Sequence, residues 1–412
     1  MPSAGVTQLP TDVYAKSASI YHVYNNKIYN INIHPAMLKI INMNDKTVEE
    51  ISTGVSEYLG FTVRVIDVKY VNNNTVIVAI LYIKSGYLVI LRCEVDLSAL
   101  TATFTEEAGY SLSWISAWEE IAHSAVIPPY LWVAPNKENS DLHCVNLDDG
   151  SDVSFSTFGD SYFVRPSTKY VVLNDDIYMQ LGRHLAGTGV YMLKLYAHEV
   201  TDTGVSVGGA DARTQIGAIT VFRGDIIFPT GGGGVAGTDN DIVLLDHRGN
   251  HLGTINLSSL TGWGDVDTMP GFTIIAKNKS GNYYALLAVR HSTGASSPEG
   301  RLYWLEIKRD GSVVSSSLLH SFDVDDGDKF AVQIKPDYSD RTSVPLVDLN
   351  SKKVYTIAWT KEGGVDKGYA VEIDISDVWD NIAEFNSGIW IMSGAGIITR
   401  IPTTLTLNVT LA

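Results

Sequence analysis

A strand-and-turn phrase recurs along this chain of 412 residues. Each copy has a hydrophobic strand, a second strand that ends in a tight turn rich in Asp, Asn or Gly, and then a third strand. Clear copies run over residues 38–51, 142–153, 242–255 and 302–314. Because one small sheet cannot bury both of its faces alone, a repeat of this kind predicts an array of sheets that stack against one another.

The first unit shows the pattern, with alternating strands over 19–24, 27–33, 38–43 and 48–52 between Asn- and Asp-rich turns. The same assignment fits residues 63–104, 114–155, 170–207, 216–257, 272–319 and 330–390. Second strands are predicted to begin at Lys27, Thr75, Tyr130, Asp176, Asp225, Tyr283 and Lys353. The predicted fold is therefore all-β, a seven-bladed β-propeller of four-stranded antiparallel blades over residues 16–402.

The two ends of the chain lie outside these units, as an N-terminal arm over 1–15 and a C-terminal strand over 403–412. An open ring would expose two sheet edges, so one terminus is expected to supply a strand to the blade formed by the other. Pairing of the tail with another subunit is the alternative. Near the C-terminus, Val378, Ile382 and Phe385 stand at helical intervals behind Ser376, which predicts one short helix in the last blade.

The segments 26–33 and 39–48 resemble the strand, strand and Asp-turn phrase of YVTN-type propellers. Nearly the whole chain resembles the seven-bladed β-propellers of the YVTN-type, kelch and quinoprotein-like groups. No unit ends in Trp-Asp, and no second strand opens with the Gly-Gly pair of kelch blades. The resemblance therefore implies a fold and no particular activity.

The composition of the chain limits the classes of partner that it is expected to bind. A formal net charge of -16 argues against binding to duplex nucleic acid, which needs clustered Lys and Arg. The longest apolar run, over 76–83, is too short to span a membrane and suits a strand buried on both faces. Cys93 and Cys144 fall in the third strands of successive units and are predicted to be small core residues, not a disulfide bridge.

The connections between second and third strands are long and glycine-rich in the later units, over 182–189, 231–240, 291–300 and 361–368. They emerge on one face of the ring, where recognition is expected. The candidate binding residues on this face are Arg183, His184, Asp239, Trp263, Arg290 and His291. Trp263 is predicted to be exposed and to stack on a sugar.

Two of these loops follow an Arg-His step, Arg183-His184 and Arg290-His291. An Arg fork beside an imidazole could bind a carboxylate or sulfate, and in an enzyme the imidazole could abstract a proton. No nucleophile or acidic orienting group recurs beside the two steps, so chance recurrence of common polar residues is the competing interpretation.

An acidic segment offers a candidate metal site. Asp323, Asp325 and Asp328 could turn several oxygens towards one calcium ion. The segment resembles the calcium loop of integrin-type propellers, although Gly327 is displaced and the final acidic ligand is missing. A solvated acidic turn is the alternative, and no other cofactor is predicted.

The favoured hypothesis is a non-catalytic binding or structural propeller that recognises a glycan or protein surface through its looped face, with other structural subunits as further candidate partners. Charged residues make up only 18% of the chain, and its coat rich in Ser, Thr and Asn resembles that of virion surface proteins. No signal peptide is recognised, and a virion or extracellular surface is the expected location. The alternative is a polysaccharide lyase or hydrolase that uses Arg183, His184, Arg290 and His291.

Overall fold

In the residues that it describes, the computed structural model contains seven β-sheets. It describes residues 1–13, 18–56, 58, 64–84, 87–112, 124–127, 129–133, 142–155, 163–173, 176–184, 189–194, 199–206, 220–223, 225–231, 241–263, 266–291, 299–325, 330–334, 344–394, 396–399 and 406–407. Each sheet follows the previous one along the chain, and the architecture is an all-β propeller of four-stranded antiparallel blades.

Six blades are each built from four consecutive antiparallel strands. Blade 1 contains β2 (Ala18–Tyr24), β3 (Lys27–His34), β4 (Met37–Asn42) and β5 (Thr47–Ser52); blade 2 contains β6 (Arg64–Tyr70), β7 (Thr75–Lys84), β8 (Tyr87–Asp96) and β9 (Thr101–Ser111). Blade 3 contains β10 (Ser124–Ile127), β11 (Tyr130–Val133), β12 (Leu142–Asn146) and β13 (Asp152–Phe155); blade 4 contains β14 (Phe163–Leu173), β15 (Asp176–His184), β16 (Gly189–Lys194) and β17 (Glu199–Ser206). Blade 5 contains β18 (Thr220–Phe222), β19 (Asp225–Gly231), β20 (Ile242–Asp246) and β21 (His251–Ile255); blade 6 contains β22 (Val266–Asn278), β23 (Tyr283–His291), β24 (Glu299–Ile307) and β25 (Val313–Asp323).

The seventh sheet, called blade 7 here, departs from this plan, which corrects the prediction of seven four-stranded blades. Its inner position is divided between β26 (Phe330–Val332) and β27 (Leu346–Asp348), which both pair with β28 (Lys353–Glu362). Its third strand is β29 (Val365–Asp374), and its outer strand is β1 (Ser3–Gln8) from the other end of the chain. The structure thus has six regular blades and one composite sheet that both ends of the chain complete.

The blades pack through apolar clusters. The largest joins buried residues of blades 1, 2, 6 and 7, a second lies between blades 5 and 6, and a third between blades 2 and 3. Blade 3 contacts blade 4 through β10 and β14. Blades 4 and 5 meet where the Tyr178 and His247 rings stand edge to face at 5.3 Å. In β7 the apolar run is buried on both faces, as predicted.

The predicted starts of all seven second strands are confirmed, from β3 at Lys27 to β28 at Lys353. The turn before β3 shows a reason for this agreement. Asn25 and Asn26 both have positive φ, 48° and 58°, which Asn tolerates better than most residues and which a two-residue hairpin requires. The conformation of such a turn is determined by the local sequence and does not depend on distant contacts.

One predicted long loop is absent. The segment 361–368 is a tight hairpin in which only Gly363 and Gly364 separate β28 from β29, both with positive φ. Strand pairing continues to Glu362 opposite Val365, so the glycines serve the turn and do not form an extended loop. The predicted loop residues 185–188, 232–240 and 292–298 lie outside the described part of the chain.

The N-terminal segment closes the ring on its outer side. After β1, Leu9 and Val13 are buried in the largest cluster, and Asp12 reaches blade 1. There the Lys39 side chain is only 2% exposed, with its Nζ 2.5 Å from Asp12 Oδ1 and 2.7 Å from Glu50 Oε1. Burial alone would lower the pKa of Lys39, but its hydrogen bonds to Asp12 and Glu50 raise it. The hydrogen bond from Lys39 in turn lowers the pKa of Glu50.

Lys39→Met is expected to lower the free energy of unfolding at neutral pH by about 2 kcal/mol, below the usual cost of breaking a buried pair because both carboxylates are partly exposed. Because the pKa of Glu50 is lowered in the folded state, its contribution is present above the ordinary carboxyl pKa and is lost as the pH falls through the lowered value. Urea denaturation at neutral and acidic pH should therefore show a flatter acid dependence for Lys39→Met.

Lys27→Met is the matched control for Lys39→Met, because Lys27 pairs with Asp45 at an exposed position. It is expected to leave the stability and its acid dependence near those of the wild type. A Lys39→Met protein as stable as this control would show that the ion pair does not support ring closure.

The C-terminal segment runs along the inner edges of the blades. It begins with α2 (Ser376–Trp379), which follows the earlier short helix α1 (Leu257–Thr261) of the connection between blades 5 and 6. It continues as β30 (Ile382–Phe385), antiparallel to β22, and as β31 (Trp390–Ser393), parallel to β27. The strands β32 (Gly396–Thr399) and β33 (Thr406–Leu407) then pair with β31 and with β14 of blade 4. The predicted helix over 376–385 is therefore wrong beyond Trp379, because Ile382 and Phe385 join a sheet.

Asn386 ties this segment to two blades. Its Oδ1 accepts hydrogen bonds from the amides of Val221 in blade 5 and of Gly388, each at 2.8 Å. Its Nδ2 donates to the carbonyl of Ile274 in blade 6, also at 2.8 Å. Since Asn386 is fully buried, one side chain satisfies three interior backbone groups and links neighbouring inner strands.

Both cysteines are buried and unbridged, as predicted, and burial raises the pKa of each thiol to about 12. Within the residues that the structure describes, no helix has the length and apolar character needed to cross a bilayer.

Candidate functional site

The looped face is the end of the ring at which second strands connect to third strands, and outer strands connect to the next blade. Trp263 lies on this face in the connection from β21 to β22. His291 lies there too, at the end of β23, opposite Val266 at the start of β22. The structure therefore brings together two of the six predicted binding residues, at the junction of blades 5 and 6.

Trp263 is half-buried, which corrects the prediction of an exposed indole. It packs against the apolar cluster between blades 5 and 6. The His291 ring stacks on it with centroids 4.6 Å apart and planes 24° from parallel. The guanidinium carbon of Arg301 lies 4.0 Å from the indole centroid. These contacts fix the orientation of the indole while part of it still reaches solvent.

Arg301 is itself held by a planar ion pair. Its Nε and Nη2 donate to the two carboxylate oxygens of Glu299 at 3.0 and 2.9 Å. Its Nη1 also donates to the carbonyl of Thr261 and to the hydroxyl of Tyr303, each at 3.3 Å. The hydrogen bond from Arg301 lowers the pKa of Glu299, which keeps this carboxylate charged. Trp263, His291, Arg301 and Glu299 together form a pre-organised aromatic and polar patch, called here the Trp263 patch.

Arg290 does not join this patch. It is consecutive with His291 in β23, and neighbouring residues of a strand point to opposite faces of a sheet. Val289 packs in the cluster between blades 5 and 6, on the face that also carries His291, whereas Arg290 is buried at 4% exposure on the other face. The Arg290-His291 step therefore does not direct two side chains to one ligand.

For the other predicted residues, the structure gives only part of the geometry. Arg183 and His184 are consecutive in β15, opposite Val164 and Phe163 of β14, and their side chains are not among those described. Asp239 lies outside the described residues. Their predicted roles in binding stay predictions.

The predicted calcium ligands are placed in part. Asp323 ends β25 and is exposed, and Asp328 lies outside the described residues. Asp325 accepts hydrogen bonds from the amides of Gly363 and Gly364 at 2.5 and 2.7 Å, so both of its oxygens bind the hairpin tip of blade 7. Among the described residues, no three His, Cys, Asp or Glu side chains cluster as metal ligands would. Calcium binding stays a prediction.

Three further residues of the looped face were not predicted from the sequence. Glu299 and Arg301 stand two apart at the start of β24, and such alternation on one strand face was the available signal. Tyr87 begins β8 on the same end of blade 2 and is 50% exposed. It follows the predicted second strand of its blade directly, which places it on the looped face by the same argument that located the long loops.

Comparison with known proteins assigns this chain to no family. No family model matches the chain, and no curated protein sequence matches it. The WD40 domain of SCAP from fission yeast aligns over 90% of this chain and 98% of its own, with 9% identity and a TM-score of 0.39. The dihydro-heme d1 dehydrogenase NirN in complex with DHE aligns over 77% of each chain, with 9% identity and a TM-score of 0.39. Cobalt-substituted Synechocystis ACO aligns over 73% of this chain and 71% of its own, with 11% identity and a TM-score of 0.39. Similarity this low carries no argument about activity.

Proposed function

We propose that this chain is a non-catalytic binding and structural propeller whose looped face recognises a carbohydrate at the Trp263 patch. The observation that carries the proposal is the indole of Trp263, held by His291 and Arg301 at the junction of two blades. A fixed aromatic surface beside planar hydrogen-bonding groups suits a sugar, which offers an apolar ring face and a rim of hydroxyls. The Glu299–Arg301 pair provides both acceptors and donors for such hydroxyls.

The geometry favours binding over the alternative lyase or hydrolase. A catalytic base needs a second group that orients it or stabilises charge on the substrate. His291 stacks on Trp263, while Arg290 is buried on the opposite face of the sheet. The pair on which the enzyme hypothesis rested therefore does not converge in blade 6.

Trp263→Ala is expected to weaken binding to a responsive glycan at least about fivefold, because stacking of an aromatic ring contributes on the order of 1 kcal/mol or more. The measurement is a glycan panel screened with the full chain, followed by titration calorimetry on the strongest ligand. Circular dichroism of the variant checks that the fold is retained, since Trp263 also contacts the cluster between blades 5 and 6.

Tyr130→Ala is the matched control, because Tyr130 is an exposed aromatic that follows a hairpin on the opposite face of the ring. It should bind the glycan as the wild type does. Equal weakening by both substitutions would contradict a site at the Trp263 patch. Turnover of a panel polysaccharide that His291→Ala abolishes would instead establish the enzyme hypothesis, and binding only to a protein would reject the carbohydrate.

We also propose that the protein works on a virion or extracellular surface, as the low content of charged residues suggests. Mass spectrometry of purified particles and of culture medium tests this. Recovery of the chain only from the cell interior would contradict it.

A further inference from the structure

The outer strands of the blades differ in how they protect their free edges. An outer strand presents unpaired amides and carbonyls, and charged side chains or short length normally discourage pairing with another chain. Four of the other outer strands carry carboxylates away from their last residue, and β21 has five residues and a register shift. The acidic residues are Glu49 and Glu50 in β5, Glu106 and Glu107 in β9, Asp152 in β13, and Glu199 and Asp202 in β17.

The outer strand of blade 6 lacks this protection except at its last residue, Asp323. β25 has 11 residues, and the sequence from Ser312 to Phe322 contains no Asp, Glu, Lys or Arg. Val314 and Leu318 are 48% and 50% exposed. Burial lowers the pKa of His320, so this imidazole is also uncharged at neutral pH.

The neighbouring outer strand extends this uncharged surface. β1, the outer strand of blade 7, contacts β25 and consists of Ser, Ala, Gly, Val, Thr and Gln. Its residues Ala4 and Val6 pack inwards against the largest cluster. Up to Asp323 at the end of β25, the two strands together form an uncharged rim in a chain whose net charge is -16.

The register of β25 limits what can pair with its edge. Its pairing with β24 shifts at two places, between Leu302 and Tyr303 and between Glu306 and Ile307. Ser315 to Leu318 pair regularly between these shifts. Because bulges twist an edge strand, the free edge suits a short partner strand centred on this segment and disfavours a long stack of strands.

We propose that a second copy of this chain docks here, with β25 of each copy antiparallel about a two-fold axis at Ser317. Charge identifies the occupant, because two copies of so acidic a chain meet without opposing carboxylates where both present the same neutral edge. In this arrangement Ser316 of one copy lies opposite Leu318 of the other, on the same face of a sheet that continues across the dimer. The inference concerns assembly and stands apart from the carbohydrate site.

Leu318→Lys tests the interface, since it places two cations close to each other across the two-fold axis. Val153→Lys is the matched control, because Val153 is 55% exposed on the outer strand of blade 3. Sedimentation of the full-length proteins at about 50 micromolar should show twice the 44.9 kDa mass for the wild type and the control. The dissociation constant of Leu318→Lys should be at least about tenfold higher.

A monomeric wild type at this concentration would overturn the proposal. The free edge of β25 would then be a site for a strand of a different protein. A Leu318→Lys protein that dimerises as the wild type does would also overturn it, by placing the interface elsewhere. Circular dichroism should match between Leu318→Lys and Val153→Lys, since both residues are exposed. Their thermal midpoints should match at a concentration at which both are monomeric, because dimerisation raises the midpoint by mass action. Glycan titration of the monomeric variant separates this result from the proposed function, because one chain carries a complete Trp263 patch.

Discussion

Asn386→Ala is expected to lower the free energy of unfolding by about 3 kcal/mol, the sum of roughly 1 kcal/mol for each of three buried backbone groups left without a partner. These groups are the amides of Val221 and Gly388 and the carbonyl of Ile274. Their burial at the inner edges of blades 5 and 6 keeps water from replacing the lost amide. Urea denaturation followed by circular dichroism measures the change.

Ser387→Ala is the matched control at the next position. The Ser387 hydroxyl donates to the carbonyl of Val221 at 3.2 Å, and the Ser387 amide already donates to the same oxygen at 3.1 Å. Removal of this redundant bond should cost less than about 1 kcal/mol. Equal losses for the two variants would contradict the role assigned to the Asn386 side chain.

Asn386→Asp provides a second readout with nearly unchanged shape. It replaces the donor to Ile274 by an oxygen and buries a carboxyl group, whose pKa should rise because burial disfavours the charged form. A raised folded-state pKa makes the folded protein hold its proton more tightly, so the variant should regain stability as the pH falls towards the ordinary carboxyl value. A general loosening of the core would show no such recovery.

The regular blades could be predicted because their signals are local. The Asn25-Asn26 turn before β3 and Gly281 before β23 adopt positive φ, a backbone conformation that few other residues adopt easily. The composite seventh sheet could not be predicted in the same way. Its outer strand, Ser3–Gln8, pairs with residues more than 300 positions away and carries no repeat phrase of its own. Pairing over such a distance depends on the closed ring and not on local preference.

The helical spacing of Val378, Ile382 and Phe385 led to a wrong prediction for the same reason, because pairing with a distant strand decided the structure. The inner edge of β22 offers unpaired backbone groups, and β30 satisfies them by joining the sheet. The role of Asn386 was equally hidden, since an isolated Asn after a short apolar run indicates only a turn. Its three partners come together only when blades 5 and 6 are already in place.

The candidate site was predictable in part. Trp263 stood out as an aromatic residue between glycines, in a connection that the repeat placed on the looped face. Arg290 and His291 do not face one ligand together, because consecutive side chains of a strand such as β23 point to opposite faces of the sheet. The same alternation would have identified Glu299 and Arg301 as partners, since they stand two apart.

Gly253→Ala is expected to cost about 3 kcal/mol, because added volume in a tightly packed interface forces backbone to move. A Cβ at Gly253 would lie 2.0 Å from the carbonyl carbon and oxygen of Asp310, in the turn between the outer strands of blade 6. That turn cannot retreat easily, since Gly311 beside it has a φ of 80° and also lies against the backbone of Thr254. The methyl group can be accommodated only if blades 5 and 6 separate.

Gly109→Ala is the matched control, because Gly109 also lies in an outer strand and a Cβ there would meet no heavy atom within 4 Å. It should change stability by less than about 0.5 kcal/mol, as surface substitutions usually do. Chemical denaturation of the two variants beside the wild type gives the comparison. Because the Trp263 patch lies at the same junction of blades, Gly253→Ala should also weaken glycan binding, whereas Gly109→Ala should not. Equal stability of the two variants would contradict the close packing of blade 5 against the blade 6 turn.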